Sequence, residues 1–249
     1  MNVLISGVGG HMGQEVLKLA QNNYRNASAV AGVDAFADLS DYNFECAADF
    51  SALKNTENID VIVDFSHHSM TKAITDFALE HKIPAVIATT GQTEEEKAMI
   101  SGAAEKIPVF IAANFSMGVA LLIELAKKAA AAMPDAEIEI IETHHDRKID
   151  APSGTALAIA NAIKEVRPEA SFNMGRSGMA KREQNEIGIN SIRMGNVVGI
   201  HEVLVGTQNQ TITLKHEAHS RALFAEGALA AAAFIIGKPA GLYNMESLV

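Results

Sequence analysis

The sequence predicts an α/β fold in two zones, a parallel sheet between helices followed by a mixed α+β sheet. Three observations carry this. Short apolar runs in the first half, at 3–6, 29–33, 59–65, 83–89 and 107–113, are hydrophobic without a break, as strands covered on both faces are. Segments of helical period separate them. Beyond about residue 115 the pattern changes to alternation, clearest in Gln210-Thr211-Ile212-Thr213-Leu214-Lys215, which suits strands with one exposed face.

Along the chain, the first run enters the turn Gly7-Val8-Gly9-Gly10-His11-Met12-Gly13 and then a helix over 12–21. The second run ends at Asp34. Helices are predicted over 69–81 and 93–105, the latter with Glu94, Glu95 and Glu96 in its first turn, where carboxylates complement the helix dipole and read as structural. An Ala-rich helix over 117–133 opens the second zone. It leads to the alternating Glu137-Ile138-Glu139-Ile140, a helix over 154–166 capped by Ser153, strands at 187–194, 197–205 and 209–215, and an apolar helix over 221–236 that packs back on a sheet face. The polar stretch 173–186, with Arg176, Lys181 and Arg182, is predicted to be a mobile loop.

Composition narrows the function classes. The 249 residues carry 20 Lys plus Arg against 30 Asp plus Glu, a net charge of −10, which argues against nucleic acid bound through a global basic field. With 48% hydrophobic residues the chain has ample material for a core. A single cysteine, Cys46, forms no intramolecular disulfide and fits a reducing compartment. The first cation is Lys18, so no basic segment precedes the opening apolar run. The longest uncharged stretch, 107–123, is punctuated by Pro108, Asn114, Ser116 and Gly118. The expectation is a cytoplasmic protein that engages neither membrane nor nucleic acid.

The glycine turn between a buried strand and a helix is the geometry that brings backbone N–H groups to a pyrophosphate. Of its glycines, 7, 9, 10 and 13, those at 7, 10 and 13 recur at intervals of three, whereas the usual fingerprint would place the third at position 12, where Met12 stands. The turn reads either as a dinucleotide site or as a purely structural turn. Asp34, about 20 residues on, stands where an acid receives ribose hydroxyls, and an Asp closing a turn is the alternative. No Lys or Arg occurs between Arg25 and Lys54, whereas Asp38 and Asp41 do, so a 2′-phosphate would meet like charge. That predicts a lean toward NADH over NADPH.

The densest polar constellation runs Glu142-Thr143-His144-His145-Asp146-Arg147-Lys148-Ile149-Asp150-Ala151-Pro152-Ser153-Gly154-Thr155. Imidazoles, a guanidinium and an ammonium beside a helix N-terminus make a local site for an anion, and imidazole delivers protons near neutral pH. A solvated charged loop is the alternative. Adjacent histidines on an extended segment point to opposite faces, so no metal site is expected.

The glycine turn, the segment Ala112-Ala113-Asn114-Phe115-Ser116-Met117-Gly118 and the His144–Thr155 constellation together resemble the 4-hydroxy-tetrahydrodipicolinate reductase family of lysine and diaminopimelate biosynthesis, over essentially the whole chain. The resemblance implies a Rossmann-like dinucleotide domain, residues 1–114 with 220–249, and an inserted substrate and tetramerisation domain, residues 115–219. It implies NAD(P)H-dependent reduction with loss of water, a small dicarboxylate substrate and a homotetramer. It gives His144 as proton donor and Lys148 as second catalytic group, with His145, Ser153, Gly154 and Thr155 toward the substrate carboxylates. For the cofactor it points to Gly7, Val8, Gly9, Gly10, His11, Met12, Asp34, Ala88, Thr89, Thr90, Ala112, Ala113, Asn114 and Phe115. Many relatives carry basic residues where this chain has His11 and Ala35, and glycine at Ala88. Another Rossmann-type amino-acid or sugar dehydrogenase, or a non-catalytic nucleotide-sensing module, are the alternative readings.

Overall fold

A computed structural model describes all residues, 1–249, and divides into two compact units, Met1–Met117 with Ala222–Leu248, and Gly118–Arg221 with the terminal Val249. In the first unit, β1 (Asn2–Ser6), β2 (Ser28–Val33), β3 (Glu45–Ala47), β4 (Val61–Asp64), β5 (Ala85–Ile87), β6 (Pro108–Ile111) and a late strand (Gly241–Tyr243) form one seven-stranded sheet. Its order is late strand, β6, β5, β4, β1, β2, β3, and every pairing is parallel. Chain direction across the sheet therefore reverses between β1 and β4, the point at which open α/β sheets leave a crevice beyond their carboxyl ends.

The unbroken apolar runs follow from burial on both faces. Leu4 and Ile62 join a cluster with Ile74, Phe77 and Ile100, which come from α2 (Thr71–His81) and α3 (Glu94–Ala104). Their neighbours Val3, Ile5, Val61 and Val63 are equally buried, but by the alternation of strand side chains they face the other way. On that side α1 (His11–Gln21) packs along the C-terminal apolar helix (Ala222–Ile235), which reaches β4, β5 and β6. Thr93 and Glu96 close a reciprocal capping box on α3, so its acidic first turn is structural as the sequence predicts.

The second unit holds α4 (Met117–Ala132), β7 (Glu137–His144), α5 (Gly154–Val166), β8 (Ser171–Asn173), β9 (Glu186–Arg193), β10 (Gly199–Gly206) and β11 (Thr211–Ala218). Its sheet order is β11-β10-β7-β9-β8; β8, β9 and β7 run parallel, and β10 is antiparallel to both β7 and β11. One face, with Ile138, Ile140, Ile187, Ile189, Val203 and Val205, packs on Leu122 and Ala126 of α4 and on Ile159 and Ile163 of α5.

The strands Glu45–Ala47, Ser171–Asn173 and Gly241–Tyr243 were not foreseen, because each is three residues long and sits at or near a sheet edge, too short to show a period. The polar stretch 173–186 is without helix or strand between β8 and β9 and mostly exposed, with contacts made by its arginines. Arg182 is pinned to Glu139 and Glu186 and donates to the Ile138 carbonyl at 3.0 Å, and Arg176 pairs with Glu186, so its arginines anchor it to β7 and β9. No helix is long and apolar enough to cross a membrane.

Candidate functional site

In the first unit the sequence-predicted cofactor residues lie beyond the carboxyl ends of parallel strands: Gly7 through Met12 after β1, Asp34 after β2, Ala88 to Thr90 after β5, and Ala112 to Phe115 after β6. Gly7 takes φ +77°, and a side chain there would strike the Phe65–Ser66 backbone. Gly10 precedes α1 and donates to the Gly7 carbonyl at 3.0 Å. The spacing question resolves at Gly13, where a Cβ would collide with the Gly7 carbonyl and Val8 Cα, so the glycine that admits the helix against the strand turn stands at 13.

Asp34 closes a turn and also faces a cleft. Its Oδ1 accepts from the N–H groups of Phe36 (2.9 Å) and Ala37 (3.1 Å), and its Oδ2 from Gly9 at 3.0 Å. That occupies three of the roughly four lone-pair positions of a carboxylate, leaving one on Oδ2. The cleft, about 710 Å³, is lined by Gly7, Gly9, Gly10 and Asp34 with Phe36, Phe65 and Ser66. On the other side of Gly9 and Ala37 lies a cavity of about 670 Å³ that includes Asp38, Asp41 and Tyr42 and no Lys or Arg.

Asp64, at the end of β4, was missed by sequence reasoning. It is buried and accepts from Ser66 Oγ at 2.5 Å, Ser66 N at 3.0 Å and Thr89 Oγ1 at 2.6 Å, so one carboxyl binds the loops after β4 and β5 together. Burial pushes its pKa up, against the lowering effect of those hydrogen bonds.

In the second unit the geometry is built on β7. Alternation buries Glu142 and His144 on one face and leaves His145 half-exposed on the other. His144 Nδ1 lies 2.5 Å from Glu142 Oε2. Arg193, paired with His144 across β7 and β9, forks onto the same carboxylate, Nη1 to Oε2 at 2.9 Å and Nη2 to Oε1 at 2.8 Å. The Ser153 N–H adds a bond to Oε1 at 3.1 Å. Burial would raise the Glu142 carboxyl, but the donors from His144, Arg193 and Ser153 outweigh it and hold it well below the usual carboxylate range.

Ser153 also caps α5, its Oγ accepting from Ala156 N at 3.2 Å and meeting His201 Nε2 at 3.1 Å. His201, on β10, is buried edge-on to His144 with ring centroids 5.2 Å apart, and burial together with the charge of His144 pushes its pKa down to about 4. His145 is likewise shifted down, by desolvation first and then by Arg147 and Arg221. The turn after β7 is tied to the β9–β10 connection through Asp146 N to Gly195 O at 3.2 Å and Met194 N to His144 O at 2.9 Å. In this turn Lys148 Nζ rests 2.7 Å from Asp150 Oδ1, while Arg147 turns away to Asp146 and Asn196. A substituent at Gly154 would meet no atom within 4 Å, so the α5 N-terminus opens outward.

The predicted His144, Lys148 and Ser153–Thr155 therefore come together at one end of the second unit, with Arg147 the cation that departs from the group. The residues that organise them, Glu142, Arg193 and His201, carried little sequence signal. Glu142 alone was legible, because it stands two positions before His144 on a strand of period two and so shares its face.

A glycine-turned parallel sheet with an acid after its second strand, in a chain whose other unit carries a buried imidazole–carboxylate pair, defines a Rossmann-type nicotinamide-dependent oxidoreductase. The family models named dihydrodipicolinate reductase, N-terminus and C-terminus, match residues 1–115 and 118–249. The chain belongs to the dihydrodipicolinate reductase family. It is 44% identical to the 4-hydroxy-tetrahydrodipicolinate reductase of Caldanaerobacter subterraneus subsp. tengcongensis, covering 100% of this chain and 98% of the relative. The enzyme of that name from Alkaliphilus metalliredigens is 41% identical, with 100% and 99% covered. Among solved structures, the dipicolinate-bound dihydrodipicolinate reductase from Paenisporosarcina sp. TG-14 superposes with a TM-score of 0.84 at 30% identity, covering 100% and 99% of the two chains.

Proposed function

We propose that the chain reduces 4-hydroxy-tetrahydrodipicolinate to tetrahydrodipicolinate with loss of water, in lysine and diaminopimelate biosynthesis, with His144 as proton donor. The observation that carries this is the pairing of His144 with an ionised, fully buried Glu142 beside the open N-terminus of α5. A nicotinamide dinucleotide supplies the hydride when bound, and the glycine cradle, the Asp34 carboxylate and the cleft fit such a group. The chain's own residues do the rest. Hydride addition to a conjugated imine moves electron density toward the far end of the π-system, where a proton must arrive, and His144 holds one. Lys148, kept in place by Asp150, offers an ammonium that stabilises developing charge and attracts a carboxylate. The N–H groups at Gly154 and Thr155, with the positive end of α5 and the His145 ring, suit the carboxylates of a small dicarboxylate, the kind of molecule held by the Paenisporosarcina structure.

We infer a lean toward NADH. Asp34, Asp38 and Asp41 face the cleft or the cavity beside it, and neither is lined by a Lys or Arg. A 2′-phosphate placed there meets like charge. NADPH binding as tightly as NADH in a low-salt titration overturns this lean. Assembly as a homotetramer through residues 115–219 is part of the same reading, and the exposed Ile192, on the sheet face opposite to the one packed by α4 and α5, suits a covered face.

Substitution separates an enzyme from a module that merely senses nucleotides. His144→Ala and Lys148→Ala are each expected to lower kcat by on the order of 10²-fold, with NADH affinity unchanged. Full turnover in both variants contradicts the assignment.

A further inference from the structure

We propose that Glu142 is a positioning residue that fixes the His144 tautomer, keeping a proton on Nδ1 so that Nε2 is the atom that gains and gives the catalytic proton. This rests on the reading of His144 as proton donor and adds the atom through which it acts.

The bonds at Glu142 decide the direction of the hydrogen bond. Both oxygens are already acceptors, Oε1 from Arg193 Nη2 and Ser153 N, and Oε2 from Arg193 Nη1. A protonated carboxyl would have to turn one of these acceptors into a donor facing a guanidinium. Glu142 therefore accepts at His144 as well, and Nδ1 carries the hydrogen. The bond is short, 2.5 Å, and fully buried, so water cannot compete for it.

The opposite side of the ring is left for chemistry. Nε2 lies over Gly199, where an added Cβ would come within 3.1 Å of it, so glycine clears the space that the ring edge occupies. His201, edge-on from β10, is held neutral by burial and spends its own Nε2 on Ser153, so it does not take over the His144 proton. The adjoining turn carries His145, Asp146, Arg147, Lys148 and Asp150, of which Lys148 is paired with Asp150 and Arg147 with Asp146 and Asn196. The Ser153 N–H on Oε1 also joins the α5 N-terminus to this carboxylate. One buried group thus orients the imidazole and seats the helix end proposed to receive the substrate.

Glutamine at 142 reverses the pattern. With its amide oxygen kept on Arg193 Nη2 and Ser153 N, its NH2 group faces Nδ1 and turns away Arg193 Nη1; Nδ1 must then accept, and the ring proton moves to Nε2.

The test is NMR of the full chain labelled with nitrogen isotope at histidine, His144 being assigned by the signals lost in His144→Ala. The neutral ring is expected to show Nδ1–H and a pyridine-like Nε2; a neutral ring protonated at Nε2 overturns the proposal whatever the turnover. In Glu142→Gln the tautomer is expected to switch and kcat to fall about tenfold or more, with KM for NADH within about twofold. A folded Glu142→Gln that keeps the parent tautomer and the parent kcat also overturns it. Should that variant not fold, Glu142→Gln with Arg193→Gln removes both buried charges together and carries the same expectation. Full turnover in His144→Ala beside the expected tautomer removes the proton-donor reading on which the proposal's functional half stands, while the orienting role of Glu142 is established by the spectrum alone.

Discussion

Replacing Arg193 by methionine isolates the electrostatics on which the site is built. The change keeps an apolar side chain of similar length and removes both bonds of the guanidinium fork, at 2.8 and 2.9 Å, from a carboxylate with no solvent exposure. Removing one partner of a buried ion pair costs about 3–5 kcal/mol, because the remaining charge stays desolvated. Arg193 is 19% exposed and Glu142 keeps His144 and the Ser153 N–H, which places the expectation at the lower end, about 3 kcal/mol. The penalty also carries a pH signature. The folded-state pKa of Glu142 lies below its ordinary value of 4.5, so the stability it contributes is complete above about pH 4.5 and is lost as the pH falls below that. At pH 4 the parent chain has lost part of this stability, and the difference from Arg193→Met narrows relative to pH 7. Urea denaturation followed by circular dichroism at pH 7 and pH 4, at one fixed protein concentration, reads both quantities. A difference below about 1 kcal/mol at pH 7, the range of an exposed pair, would contradict a desolvated Glu142–Arg193 pair.

His201 supplies a second pH dependence. Its folded pKa of about 4 lies below the ordinary 6.5, so its contribution is complete above pH 6.5 and fades as the pH falls toward 4; His201→Gln is expected to remove about 2 kcal/mol of the stability lost between pH 7.5 and pH 5. An unchanged pH–stability curve in that variant contradicts the assignment. Gly13→Ala drives a methyl into the Gly7 carbonyl, and the expected destabilisation is about 1–3 kcal/mol with weakened NADH binding, read by thermal melting with and without NADH. Ala35→Arg places a cation beside Asp34 at the cleft, and the ratio of kcat/KM for NADPH over NADH is expected to rise about tenfold, the equivalent of one charge-assisted contact of roughly 1.4 kcal/mol. No change in that ratio removes the electrostatic basis for the NADH lean.

Legibility in the sequence followed the length scale of the physics. Long periodic elements were plain: burial on both faces writes unbroken runs such as Val61–Asp64, and a half-covered face writes the alternation of Glu137–His144. The ends of the parallel strands placed Asp34 and Ala88 to Thr90 together at one edge, because topology turns sequence order into spatial order. What escaped depended on register. Arg193 reaches Glu142 only because β9 lies parallel to β7 in one alignment, and nothing local to Arg193 encodes that partner. His201 likewise owes its neutrality to depth beneath neighbouring strands. Gly13 was visible as a residue, but its purpose appeared only when the helix was seated against the Gly7 carbonyl. Arg147 misled because a charge count treats every cation of a motif alike, whereas its side chain turns to Asn196.

The most direct measurement is turnover of the unstable hydroxy-dicarboxylate, generated in situ from pyruvate and aspartate semialdehyde, with oxidation of NADH and of NADPH followed in parallel. Oxidation is expected to depend on both precursors, to be faster with NADH at low cofactor concentration and to fall by on the order of 10²-fold in His144→Ala. Absence of precursor-dependent oxidation with either cofactor would contradict the proposed reaction.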